Sequence, residues 1–108
     1  MRKIFILIVL FTSSQLLASG LPYEVTAENI LKRVNGLGAN EVVRELYDNR
    51  SAWSIVLSGI ERGEDKWLDV GLSLEPGTDA GAASMLLESL GLGLEKNPVG
   101  VLSRFSSN

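Results

Sequence analysis

The chain of 108 residues contains no cysteine and no histidine. The first absence excludes disulfides and thiolate metal sites, and the second excludes Ser-His and Cys-His nucleophile pairs. Together they remove the usual zinc and haem ligand sets. Aromatic side chains are scarce, with two tryptophans, two tyrosines and three phenylalanines, and only three prolines stand against eleven glycines. Positive charge is also in short supply: ten lysines and arginines face thirteen aspartates and glutamates, a net of −3. An acidic chain is a poor ligand for nucleic acid.

What is present begins with the residue pattern expected of a leader. Met1-Arg2-Lys3 is followed by the apolar run Ile4 to Phe11, then by Thr12-Ser13-Ser14-Gln15 and the small-residue exit Ala18-Ser19-Gly20. A charged start, a short apolar core and small residues at the exit predict a secretory signal peptide over residues 1–20, cleaved after Ala18 or Gly20. The apolar run falls short of the ~20 residues a spanning helix needs, and no cysteine follows it to carry a lipid, so no stable membrane anchor is expected after its removal. Arg2 and Lys3 depart with the leader, so ten basic residues become eight against thirteen acidic ones, a net of −5. The remaining 21–108 are expected to form one helical domain in the periplasm or outside the cell. With no disulfide, and with no metal or other cofactor expected, its stability has to come from packing or from a dimer interface.

The stretch Trp53–Gly81 organises that domain. Trp53, Val56, Leu57 and Ile60 fall at i, i+3, i+4 and i+7, and Trp67, Val70, Gly71 and Leu74 repeat the spacing after Arg62-Gly63. Two apolar helix faces joined by a tight corner follow. Upstream, Thr26 caps a first helix that Asn35-Gly36 should stop, and Val42, Val43, Leu46 and Tyr47 mark a second, on which Arg44 and Asp48 are spaced to pair. Asn49 caps the third and Glu64-Asp65 open the fourth, which ends before Pro76. Pro76-Gly77 suits a type II turn, and Thr78 or Asp79 caps a long fifth helix running to Lys96. That helix is apolar nearly all round, with Ala83, Leu86, Leu87, Leu90 and Leu94 as its expected inner face and Met85 and Leu92 away from it. Asn97-Pro98 begins a sixth helix whose Val99, Leu102 and Phe105 should point inward.

A slide of 34 residues sets Trp53 on Leu87, Gly59 on Gly93, Ile60 on Leu94, Gly63 on Asn97 and Leu68 on Leu102. The predicted fold class is therefore all-α, about six helices in three stacked hairpins, a short α-solenoid or a compact bundle. The pattern Ile60-x-x-Gly63-x-x-x-Trp67-Leu68, Pro76-Gly77-Thr78-Asp79-Ala80-Gly81, Leu90 to Leu94 and Asn97-Pro98 resembles small secreted, HEAT-like helical proteins of Gram-negative bacteria, over residues 40–105. The resemblance rests on packing motifs and implies fold and compartment. A fainter similarity, to periplasmic immunity proteins that protect against amidase toxins, implies a non-enzymatic partner-binding role and carries no site residue across.

Candidates for chemistry are few. Glu61, Glu64 and Asp65 gather near one corner, but beside Arg62 and Lys66 they read as solvated helix-end charges rather than as a tuned carboxylate pair. Gly36-x-Gly38 and Gly91-x-Gly93 each lack the third glycine and the preceding strand of a dinucleotide site. Trp53 and Trp67 read as core. The expectation is a protein-binding module without catalytic, cofactor or metal-binding residues. Its candidate interface comprises Met85 and Leu92, the Thr78-Asp79 corner, and the acidic Asp48, Glu61, Glu64 and Asp65. The alternative is a self-assembling homodimer through Met85 and Leu92, and a carboxylate-based hydrolase is the least favoured reading.

Overall fold

The computed structural model describes residues 20–105, which form six α-helices and contain no strand. The signal peptide expected over 1–20 lies outside them apart from Gly20. Helix α1 spans Ala27–Leu37, α2 Ala39–Tyr47, α3 Arg50–Glu61, α4 Asp65–Leu74, α5 Ala80–Lys96 and α6 Pro98–Phe105, with a 3₁₀ turn at Glu75–Gly77. Side-chain caps start four of them. Thr26 Oγ1 accepts from the Asn29 N–H, Asn49 Oδ1 from Ala52, Asp79 Oδ1 from Ala82 and Asn97 Oδ1 from Gly100, all at 3.0–3.1 Å. Of the two residues expected to cap α5, Asp79 does so, while the Thr78 hydroxyl donates to the Glu75 carbonyl at 2.8 Å.

Three local expectations need correction. Asn35-Gly36 does not stop α1: both are weak helix formers but tolerated, and the chain turns only at Gly38, whose φ of +93° strains any side chain. Arg44 pairs with Glu41 at 3.1 Å rather than with Asp48. Pro76-Gly77 is no type II turn, because φ at Gly77 is not positive. Glycine is required there for closeness, since a Cβ would come within 2.6 Å of the Ala39 carbonyl oxygen at the start of α2.

The helices pair as three antiparallel hairpins, α1–α2, α3–α4 and α5–α6. The second and third stack like rungs, α5 on α3 and α6 on α4. Asn97, at the corner of the third hairpin, donates to the Gly63 carbonyl at 2.8 Å and to Asp65 at 3.0 Å, so residues 34 apart in sequence meet in space. The first hairpin breaks the rung pattern, because α1 lies chiefly against α4. Helix α4 therefore touches all five others, with Leu68, Val70 and Leu74 fully buried.

Helix α5 presents a different face from the one its leucines suggest. Ala82, Leu86, Ser89, Leu90 and Gly93 are buried, while Leu87 and Leu94 are exposed. Small residues set this choice. A Cβ on Gly93 would strike the Ile60 carbonyl oxygen, so α3 and α5 approach backbone to backbone there, and Ala82 and Ser89 are the other small buried residues of that face. Leucine at those points would hold the helices apart. The same exchange occurs in α6, where Gly100 and Val101 are buried, Val99 and Leu102 are exposed and Phe105 is half-buried.

The lead-in before α1 is stapled down by a three-residue cluster. Arg33 donates two 2.9 Å bonds to the Glu45 carboxylate and stacks 4.7 Å from the Tyr23 ring centre, while the Tyr23 hydroxyl donates to Glu45 at 3.2 Å. These Arg33 bonds hold the Glu45 carboxyl below its usual range, and burial, followed by the Glu45 charge, pushes the Tyr23 phenol up to about 12. A depressed carboxyl stabilises the fold fully above its unfolded value, and that contribution is lost as pH falls through the folded one. Glu45→Gln is therefore expected to flatten the fall in urea midpoint between roughly pH 5 and pH 2. Parallel profiles for the two proteins would refute the staple.

Candidate functional site

Three shallow depressions run into one another along the seam between α2–α3 and the start of α5. The first, about 370 Å³, is lined by Asn40, Arg44, Tyr47, Asp48, Thr78 and Asp79, among others. The second, about 430 Å³, lies between Tyr47, Arg50, Trp53 and Met85. The third, about 320 Å³, shares Arg50, Trp53 and Met85 and continues to Ser54, Ser58 and Glu61. Tyr47 is common to the first two, so the three adjoin in a row, a segmented groove from the Thr78–Asp79 corner to Glu61.

Local structure places each wall. Tyr47 ends α2, and its ring meets that of Trp53 edge to face, centres 5.6 Å apart and planes at 88°. Gly81, on the first turns of α5, leaves room for the phenol, since a Cβ there would lie 2.8 Å from its hydroxyl. Arg50 opens α3 with no acidic partner among the described residues. A cation at a helix start opposes the helix dipole. Trp53 is 4% exposed, and its indole N–H is the one buried side-chain polar group among the described residues without a hydrogen-bond partner. The indole therefore departs from the rule that buried donors are matched, while Arg50 is an exposed cation left to solvent.

The structure brings five of the eight sequence-predicted interface residues into this groove: Asp48, Glu61, Thr78, Asp79 and Met85. Leu92, two turns beyond Met85 on the same stripe of α5, is exposed outside it. The three clustered acids take separate partners. Glu61 accepts from the buried Ser89 hydroxyl at 3.0 Å, Glu64 pairs with Arg62 at 2.7 Å, and Asp65 receives Asn97 and lies 3.6 Å from Arg104. The Arg62 bond holds the Glu64 carboxyl below its usual range. Asp48 alone of the four acids has no side-chain partner among the described residues. Sequence reasoning missed Arg50 and Tyr47, and for Trp53 it favoured a core role over a groove wall, where the residue is both buried and lining. A positive charge on the first residue of a helix was the available signal for Arg50.

The groove therefore offers two cations, Arg50 and the Glu41-paired Arg44, one unmatched donor, flanking carboxylates, aromatic walls and a flexible thioether. A set of this kind is chemically suited to holding another molecule through shape, hydrogen bonds and charge. Among the described residues, no three or more aspartates and glutamates converge as metal-ligand sets do. A second, more apolar groove of about 530 Å³ lies on the far side of α5, between Leu72, Leu87, Leu94 and Phe105, with Glu75 and Arg104 at its polar margin. Arg104 is committed to Asp69 at 2.7 Å. Compared with known proteins, the chain matches no family model, no curated protein and no solved structure.

Proposed function

We propose that this is an exported, non-enzymatic protein-binding module, of the immunity or inhibitor type, that blocks a periplasmic toxin or cell-wall enzyme by covering its surface. The observation that carries the reading is the row of adjoining depressions from Thr78–Asp79 past Tyr47 to Met85 and Glu61, whose polar walls include Arg50 and Asp48, neither with a side-chain partner among the described residues. Partner recognition of this kind uses a central aromatic or apolar anchor inside a polar rim. Tyr47, Trp53 and Met85 supply the anchor, and Asp48, Thr78, Asp79 and Glu61 the rim. The acidic excess steers a basic partner toward the module and sets the rate of encounter rather than the final affinity.

The test is capture from envelope extract on the immobilised chain, with and without Met85→Glu. Met85 is 39% exposed, so the substitution should shift stability by no more than ~0.5 kcal/mol. It is expected to reduce capture at least tenfold. Equal capture by both proteins, or none by either, would overturn the reading. A self-assembling homodimer is the second reading, favoured by the exposure of Met85 and Leu92 on one stripe of α5. Light scattering at micromolar concentration separates the two, since the module is expected to be a monomer.

A further inference from the structure

The middle of the groove is lined by an exposed cation without an acidic partner among the described residues and, one helical turn on, by a buried donor without an acceptor. Arg50 and Trp53 are three apart, one helical turn, and both line the second and third depressions together with Met85. The guanidinium has no acidic partner among the described residues, and the indole N–H has no acceptor. An unmade hydrogen bond in a buried group disfavours the unliganded protein, and a guanidinium beside an N–H donor is matched by two oxygens on one planar anion. Phosphate is the poorer match, because Asp48 and Asp79 line the adjoining depression and Glu61 the far end. These three carboxylates repel a doubly charged group, and the second cation of the adjoining depression, Arg44, is already paired with Glu41, whereas a singly charged carboxylate needs only Arg50.

The apolar walls define what accompanies the charge. Tyr47 and Met85 are both about two-fifths exposed, at 40% and 39%, and enclose the charged end with carbon and sulfur. Methionine is the adaptable part of this wall, with three rotatable bonds and a soft thioether. We infer that the Tyr47–Arg50–Trp53–Met85 cleft is an acceptor site for an acidic side chain of the partner protein, an aspartate or glutamate flanked by an aliphatic residue. One carboxylate oxygen pairs with Arg50. The other takes the Trp53 N–H as the Met85 side chain moves aside, and the aliphatic neighbour rests on Tyr47. This assignment rests on the partner-binding reading of the same groove and names the group that enters it.

The two indole N–H signals in a proton–nitrogen correlation spectrum give the test, with Trp67 as internal control. The probes are the dipeptides N-acetyl-Leu-Glu-amide and N-acetyl-Leu-Gln-amide, the full chain being titrated with each to tens of millimolar. The acid is expected to move the Trp53 indole proton downfield in a saturating way and to leave Trp67 in place. The neutral peptide should bind at least fivefold more weakly, and Arg50→Gln should remove the difference between the two. Equal shifts from both peptides would overturn the carboxylate assignment and leave the groove as a binding surface. No shift at Trp53 from either peptide, in a protein whose extract capture still depends on Met85, would overturn the site alone. N-acetyl-Leu with a free carboxylate serves as a further arm, and binding tighter than that of the glutamate peptide would assign the cleft to a chain terminus instead.

Discussion

Replacing Gly93 by alanine is expected to destabilise the protein by about 3 kcal/mol, enough to lower the melting midpoint of a domain this size by roughly 12–20 °C. A Cβ at that position would strike the Ile60 carbonyl oxygen, and 3.5 Å from it lies the Ile60 carbonyl carbon. Both are backbone atoms of α3, so no side chain can rotate away and the two helices have to separate. Alanine's better helix propensity, up to about 1 kcal/mol, works in the opposite direction and is outweighed. Gly91, two residues earlier on the same helix, provides the control. A Cβ there meets nothing within 4 Å, so Gly91→Ala should stabilise by roughly 0.5–1 kcal/mol. Denaturant unfolding of the two variants checks both signs, and a Gly93→Ala protein as stable as wild type would show that α3 and α5 do not meet at their backbones.

Leu68→Ala is the second large effect, a loss of about 3 kcal/mol from a fully buried side chain in the helix that contacts all the others. Its counterpart 34 residues on, Leu102, is 52% exposed, and Leu102→Ala should cost no more than ~0.5 kcal/mol. The pair measures how far the repetition in sequence is repeated in energetics. Trp53 and Leu87 tell the same story, the first buried and the second 65% exposed. Equivalent positions lose their burial in the last hairpin because no further hairpin of the described chain follows to cover them.

Much of the architecture was readable from residue types with a single local role. Thr26, Asn49, Asp79 and Asn97 each satisfy the open N–H groups of a helix start, a requirement set within four residues, and the sequence positions of the caps agree with the structure. The Gly63 reversal was readable for the same reason, since its φ of +71° is a local demand. What escaped was the choice of face. Hydrophobicity ranks Leu87 and Leu94 above Ser89 and Gly93, yet the spacing between α3 and α5 is set by how closely two backbones come, a non-local quantity that favours the smallest residues. Pro76-Gly77 misled in the same way, its glycine serving close approach to Ala39 rather than positive φ. Of the residues lining the groove, Asp48 and Glu61 stood out in the sequence as acidic surface, Thr78 and Asp79 as a helix-start corner and Met85 as a position off the expected inner face of α5. The pairing of Arg50 with Trp53 at one cleft required knowledge of which side of α3 faces Tyr47 and Met85.

The position of α4 in the chain has a bearing on how the molecule reaches this state. The helix that the first hairpin rests upon spans Asp65–Leu74, so α1 waits nearly thirty residues beyond its own end for the surface that covers Ile30. A nascent chain, delivered from its N-terminus, cannot complete its domain rung by rung. Helices α1 and α2 emerge first and remain half-clothed, and ordering proceeds through contacts distant in sequence once α4 is available. Cooperative, late closure of the whole domain is the expected consequence.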